Sequence, residues 1–96
     1  MGDRLPMAAR ADLEAREAGE LALALAPRYL LVRVLPDGSV AALGELLFTR
    51  AIYLGLTQYG YGRRYCFSDR DLAVQRFAQL QGEDDEPAGF TARRGG

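Results

Sequence analysis

The chain has 96 residues, of which 49% are hydrophobic and 26% charged, a balance typical of one small globular domain. Twelve basic and thirteen acidic residues give a net charge of −1, so we expect no partner to be attracted by overall charge alone. All basic residues are Arg, His is absent and Cys occurs once, which excludes His-dependent nucleophiles, Schiff-base chemistry, disulfides within the chain and His-based or Cys-rich metal sites. We therefore expect no catalytic residue, no metal and no cofactor.

The sequence predicts a cytoplasmic protein without a membrane span. The most apolar early stretch, residues 21–26, follows several acidic residues, which is the wrong flank for a signal peptide. No apolar run approaches the roughly 18–20 residues that a membrane helix needs. A single thiol fits a reducing compartment, and the Arg-, Ala- and Leu-rich composition is typical of a GC-rich bacterial genome.

Residues 7–26 are predicted to form the first helix, because alanine and leucine dominate this stretch. Apolar side chains are sparse before Ala18 and broadly distributed after it, so we expect an exposed first half and a packed second half. Pro27 ends the helix, since a proline in a helix interior removes a backbone hydrogen bond.

Residues 28–67 are predicted to form an antiparallel sheet of about four strands. Residues 28–35 are apolar on both faces, which favours a central, well-covered strand. Pro36-Asp37-Gly38 predicts a hairpin turn, and residues 40–43 the returning strand. Residues 43–50 fit either a strand or a helix, and both alternatives stay open.

The second half of the sheet and a final helix follow. Residues 51–59 alternate as a third strand and residues 63–67 as a fourth. Ser68 is predicted as the N-cap of a helix over 69–81 that buries Phe77. An acidic loop and tail occupy residues 83–96. The predicted fold class is α+β, one domain over 1–96, with an N-terminal helix, an antiparallel meander and a C-terminal helix packed on the sheet.

Two features have a structural and a functional interpretation. Cys66 shares a strand face with Arg64, and a nearby cation can lower a thiol pKa, but without an imidazole base a packed core thiol is favoured. The acidic loop lacks the spacing of a calcium-binding loop, so it is either solvated or a decoy for a basic nucleic-acid-binding surface. Its residues are Glu83, Asp84, Asp85 and Glu86.

Aromatic and basic side chains interleave along one stretch of the predicted sheet. This composition suits a surface that stacks bases while arginine neutralises phosphate, although tyrosine and arginine also dominate protein interfaces and tyrosine is common in ordinary sheets. Arg63 and Tyr65 alternate onto the same side, which favours Arg63 over Arg64 as a contact. The candidate binding residues are Arg50, Tyr53, Tyr59, Tyr61, Arg63, Arg64 and Tyr65.

From Tyr29 to Phe90 the order of elements resembles the WGR domain, a small module associated with nucleic acid. The similar features are an opening strand with an acidic turn, the aromatic-x-Arg sequence Phe48-Thr49-Arg50, a hairpin, a capped helix and a closing Gly89-Phe90. Phe48 and Thr49 stand where the family has Trp and Gly, so only Arg50 carries over from the motif. The resemblance implies a binding module without a catalytic centre.

The sequence therefore predicts a small non-catalytic binding module. Its expected partner is nucleic acid or a nucleic-acid-handling protein, contacted through the Tyr/Arg sheet face, and no small-molecule substrate is indicated. The alternative is a protein-only interaction or inhibitor protein of the phage or mobile-element type, in which the acidic loop forms part of the contact. Salt dependence distinguishes the two, because phosphate contacts weaken steeply as salt rises.

Overall fold

The chain folds into two α-helices and a five-stranded antiparallel sheet, in a computed structural model that describes residues 7–95 and the side chains from Asp12 onward. The strands lie in chain order, β1-β2-β3-β4-β5. The predicted α+β architecture is confirmed, with one strand more than the expected four. The elements are α1 (Met7–Leu25), β1 (Leu31–Val34), β2 (Val40–Glu45), β3 (Arg50–Leu54), β4 (Arg63–Phe67), α2 (Arg70–Ala78) and β5 (Ala92–Gly95).

Helix α1 packs on the sheet through its second half. Ala18 and Leu25 are buried, whereas residues 12–17 are all exposed, so the predicted contrast between the two halves is confirmed. The helix ends at Leu25, and Pro27 lies in a short 3-10 turn over Ala26–Arg28 that leads towards β1. Proline suits this turn because its fixed φ matches the first residues of a helical turn.

Strand β1 lies at an edge of the sheet, and the prediction of a central strand is wrong. It pairs with β2 alone, and Leu30 and Leu31 remain 50% exposed. Apolar side chains above and below a strand indicate that its faces are covered. They carry no information about whether a second strand lies beside it in the plane of the sheet.

The ambiguous residues 43–50 form the end of one strand, a tight turn and the start of the next. Strand β2 continues to Glu45, and the Leu46 N–H donates to the Thr49 carbonyl oxygen at 2.8 Å across a two-residue connection. The predicted third strand is also shorter than expected, because β3 ends at Leu54 and the next residue, Gly55, has φ +66°. A left-handed residue breaks the extended backbone of a strand.

Helix α2 is capped by Asp69, so the prediction of Ser68 as the N-cap is wrong. The Leu72 N–H donates to Asp69 Oδ1 at 3.0 Å, which satisfies one of the unpaired donors of the first turn. Ser68 lies outside the helix, where Thr91 Oγ1 donates to its Oγ. The helix also ends at Ala78, three residues before the predicted end.

We expect Asp69→Ala to lower the free energy of unfolding by about 1 kcal/mol, because the Leu72 N–H then loses its partner. Ser68→Ala is the matched control and should cost less, since Ser68 does not cap the helix. Denaturant unfolding of the two variants measures the difference. A larger loss for Ser68→Ala would contradict this assignment of the cap.

The prediction of a loop and tail over residues 83–96 is wrong for the last part of that stretch, which forms a fifth strand. Strand β5 pairs with β4 and places Arg94 opposite Arg64. The segment was not recognised because its side chains are all exposed and show no apolar alternation. Gly95 closes the pairing at φ +84°, where a Cβ atom would collide with the Gly62 carbonyl oxygen.

Each face of the sheet carries its own core. The face covered by α2, called the α2 face, buries the predicted Phe77 and packs Leu72 and Phe90 at its margin. The opposite face, called the α1 face, is partly covered by α1. The α2-face core contains Leu35, Ala41, Leu43, Ile52, Leu54, Tyr65, Phe67, Ala73, Phe77 and Leu80. The α1-face core contains Ala18, Leu25, Val40, Ala42, Ala51, Tyr53, Leu56 and Cys66.

Candidate functional site

The seven predicted binding residues do not form one surface. The pairing register places Tyr53 opposite Arg64 on the α1 face and Ile52 opposite Tyr65 on the α2 face. Neighbouring residues of a strand point to opposite faces, so the seven candidate residues are divided between the two faces of the sheet and a connecting loop. Arg50, Arg63 and Tyr65 belong to the α2 face, Tyr53 and Arg64 to the α1 face, and Tyr59 and Tyr61 to the connection between β3 and β4.

Tyr65 is a core residue and is not available to a partner. Its relative exposure is 0%, and the ring of Phe90 lies 5.0 Å from its ring centroid. The expectation that Tyr65 contributes to a contact surface is therefore corrected. The alternation of Arg63 with Tyr65 was predicted correctly, but this side of β4 is the side that α2 and Phe90 cover.

The two candidate arginines of the α2 face are already neutralised within the chain. Arg63 Nη2 lies 3.2 Å from Asp84 Oδ1, and Arg50 Nε lies 2.8 Å from Glu45 Oε1. The hydrogen bond from Arg50, together with the charge of Arg70, lowers the pKa of Glu45 below its ordinary value. A partner using these guanidinium groups would have to displace a carboxylate.

Three tyrosines form a continuous aromatic cluster on the α1 face. The ring of Tyr53 lies 5.2 Å from that of Tyr29 and 5.1 Å from that of Tyr61, between centroids. Burial raises the pKa of Tyr53, while the positive charge of the adjacent Arg64 acts in the opposite direction. Gly44 makes room for this packing, because a Cβ there would lie only 3.0 Å from the Tyr53 ring.

Arg64 and Arg94 lie opposite each other on β4 and β5, and both point to the α1 face. Neither makes an ion pair with a carboxylate among residues 12–95. Arg64 Nε is also buried without a hydrogen-bond partner. Like charges directly opposite each other across two strands destabilise a sheet, so this pair is suited to receive an anion.

One tyrosine of the β3–β4 connection lies near Arg64, and a second lies at the tip of the same connection. Tyr61 contacts Tyr53, the direct cross-strand neighbour of Arg64, and remains 39% exposed. Tyr59 is 91% exposed at the tip of the connection, where the Thr57 N–H donates to the Gly60 carbonyl oxygen. We call Tyr59, Tyr61, Arg64 and Arg94 the Arg–Tyr patch. Sequence reasoning missed Arg94 because the strand that positions it was not predicted.

The acidic loop over residues 83–86 is tied to the α2-face side of the sheet. Asp84 pairs with Arg63, and Glu86 lies 3.2 Å from Arg93 Nη1. Asp85 Oδ2 accepts the Gln81 N–H at 2.7 Å. The alternation of β4 and β5 thus directs Arg63 and Arg93 towards the acidic loop and directs Arg64 and Arg94 away from it.

Cys66 is a free thiol that is 8% exposed within the α1-face core, which confirms the interpretation as a core residue. Across the described part of the chain, no cluster of three or more potential metal ligands occurs. None of the helices in that part is both long and apolar enough to cross a membrane.

Comparisons with protein-family models, with curated proteins and with solved structures found no match to this chain.

Proposed function

We propose that this protein is a small non-catalytic module that binds single-stranded nucleic acid through the Arg–Tyr patch. The observation that carries the proposal is the opposed pair Arg64 and Arg94, which lacks a carboxylate partner among the described residues. Arg64 and Arg94 are direct partners on two neighbouring strands, and strands in a sheet lie about 4.8 Å apart. Two arginines at this backbone spacing can contact neighbouring phosphate oxygens, to which arginine is well suited.

The exposed tyrosines favour an unpaired strand over a duplex. Tyr61, which contacts Tyr53 beside Arg64, and Tyr59, at the tip of the same connection, both offer exposed ring surface. Every base has a flat face that can stack on such a ring. Bases within a duplex are already stacked on each other, so single-stranded segments are the usual partners of aromatic platforms. The resemblance to WGR domains, which stays a prediction, points to the same class of partner.

The cytoplasm of a bacterium is the proposed location of this binding activity. The free thiol of Cys66 is compatible with a reducing compartment, and nucleic acid is available there as a partner. No cofactor has a role in the proposal, since charge neutralisation and stacking are sufficient for binding.

We expect Arg64→Ala to weaken binding of a fluorescently labelled single-stranded oligonucleotide by about tenfold, because a charge-assisted contact to phosphate is lost. Arg63→Ala is the matched control: it removes the adjacent arginine, which points to the other face and pairs with Asp84. Fluorescence anisotropy over a range of salt concentrations measures both variants. Arg64→Ala should also reduce the log–log salt slope by about 0.7, the value for one lost phosphate contact in a single strand.

Three outcomes would contradict the proposed nucleic-acid binding. These are an absence of binding by the wild-type protein at low salt, wild-type affinity in both Arg64→Ala and Arg94→Ala, and a larger loss for Arg63→Ala than for Arg64→Ala. Circular dichroism spectra of the three variants are compared with that of the wild type, so that a loss of binding is assigned to the lost contact only in variants that fold.

A protein partner is the second candidate, and the tip between β2 and β3 favours it. Leu47 and Phe48 are 81% and 80% exposed, at positions where a two-residue turn ordinarily carries glycine or short polar residues. Exposed aromatic side chains serve as anchors in protein interfaces. A nucleic-acid-handling protein or the target of an inhibitor protein could contact this tip, and such binding would depend only weakly on salt. The acidic loop is a less available contact because Asp84, Asp85 and Glu86 already have partners within the chain.

A further inference from the structure

Strand β1 leaves one edge of the sheet open, and the apolar side chains beside that edge are only partly covered. Leu30 and Leu31 are 50% exposed and Val34 is 40% exposed. The opposite edge is formed by β5, which carries Arg93 and Arg94. Charged side chains and proline protect sheet edges against pairing with other strands. By this criterion the β5 edge is protected and the β1 edge is not.

Arg33 is the sole charged residue of β1, and it does not protect the edge. Its guanidinium donates to the carbonyl oxygens of Phe77 and Leu80 at the end of α2 and lies 5.6 Å from the centroid of the Phe77 ring. The charge is therefore held over the α2 face. A strand approaching β1 in the plane of the sheet would meet valine and leucine side chains.

The backbone of β1 has free hydrogen-bonding groups at this edge. The Leu35 N–H donates to the Ser39 carbonyl oxygen at 2.8 Å, which makes Leu35 and Ser39 a hydrogen-bonded pair. Such pairs alternate along an antiparallel ladder, so Arg33 and Leu31 also bond towards β2. The N–H and C=O groups of Val32 and Val34 consequently point outward.

We propose that a second copy of this chain pairs with β1 in antiparallel orientation, with Val32 of one copy opposite Val32 of the other. This register joins the outward backbone groups and preserves the faces of both sheets. It brings Val34 of each copy beside the start of β1 in the other. The Leu30 N–H there already donates to the Leu43 carbonyl oxygen of its own chain at 2.8 Å, so the shared backbone bonds are those of Val32 and those donated by the Val34 N–H.

The charges at the two ends of β1 are complementary in this arrangement. Arg28 precedes the strand, is exposed and has no ion-pair partner within residues 12–95, while Asp37 follows the strand in the hairpin turn. Hydrogen bonds from the Ser39 side chain, the Glu83 backbone and the Ser39 backbone lower the pKa of Asp37 and keep it ionised. Antiparallel pairing brings the Arg28 end of one strand to the Asp37 end of its partner, and it does so twice by symmetry.

A second copy fits this edge better than an open series of head-to-tail contacts. Pairing of β1 with β5 of another molecule would place apolar side chains against Arg93 and Arg94, whereas pairing of β1 with itself closes on a two-fold axis. The axis runs perpendicular to the sheet, so the ten-stranded dimer presents both Arg–Tyr patches on the same side. The dimer itself does not depend on the proposed nucleic-acid binding.

Sedimentation velocity over a concentration series tests this dimer on the complete chain. The interface is small, so we expect a rise from the 10.5 kDa monomer to twice that mass with a dissociation constant in about the micromolar range. Val34→Lys should weaken the dimer by at least about tenfold, because it puts a charge at the paired edge. Val74→Lys is the matched control, since Val74 is similarly exposed, at 37%, and belongs to α2 and not to the β1 edge. It should dimerise like the wild type.

A second variant keeps the test valid if Val34→Lys does not fold. Val32→Pro removes an N–H that points outward and leaves the hydrogen bonds to β2 in place. An edge strand accepts proline at such a position, where the missing N–H faces away from the neighbouring strand. Loss of dimerisation in either folded variant, with dimerisation retained in Val74→Lys, supports the proposal. A wild-type protein that stays monomeric across the series, or a dimer that survives both β1 substitutions, would overturn it.

Discussion

Phe77→Ala is expected to destabilise the protein by about 3–5 kcal/mol, through lost burial and the cavity that remains. Phe77 is 2% exposed in the α2-face core, and Arg33 lies over its ring. A domain of this size typically has only about 5–15 kcal/mol of stability in total. The substitution should therefore lower the melting temperature by more than about 12 °C.

Val74→Ala is the control for Phe77→Ala on the same helix. Val74 is 37% exposed, so its truncation should cost much less. Thermal unfolding followed by circular dichroism compares the two variants directly. An unchanged melting temperature for Phe77→Ala would mean that α2 does not pack on the sheet, and the described architecture would be wrong.

Tyr65→Ala has the second large expected effect, also about 3–5 kcal/mol of lost stability. Tyr65 is fully buried between the strands and Phe90, so removal of its ring leaves a cavity in the α2-face core. Tyr65→Phe keeps the ring and removes only the hydroxyl that accepts a 3.5 Å hydrogen bond from Arg63 Nη1. This variant should lie within about 1 kcal/mol of the wild type.

Comparison of Tyr59→Ala with Tyr65→Ala distinguishes a surface tyrosine from a core tyrosine. Tyr59 is 91% exposed, so its removal should change the free energy of unfolding by less than about 0.5 kcal/mol while weakening oligonucleotide binding. Denaturant unfolding measures the effect of each substitution on stability, and fluorescence anisotropy measures its effect on oligonucleotide binding. A stable Tyr65→Ala variant with impaired binding would contradict the buried position of Tyr65.

Local sequence signals determined the first helix and the first hairpin turn of this protein. The stretch rich in alanine and leucine that ends near Pro27 gave α1 to within one residue, and Asp37-Gly38 marked a hairpin turn in which Gly38 has φ +87°. Strand alternation also placed Cys66 with Arg64 and Tyr65 with Arg63 correctly. These features depend on backbone geometry and on residues close together in the chain, so they can be read from the sequence.

The tertiary structure alone decided which strands lie at the edges and which sheet face is covered. The apolar pattern of β1 is the same for an edge strand as for a central strand, and β5 is held by backbone pairing that side-chain patterns do not show. Alternation separates Arg63 from Arg64, but only the docking of α2 and the acidic loop shows which of them is already neutralised. The candidate site therefore depends on contacts between distant segments, and a single sequence does not specify which segments meet.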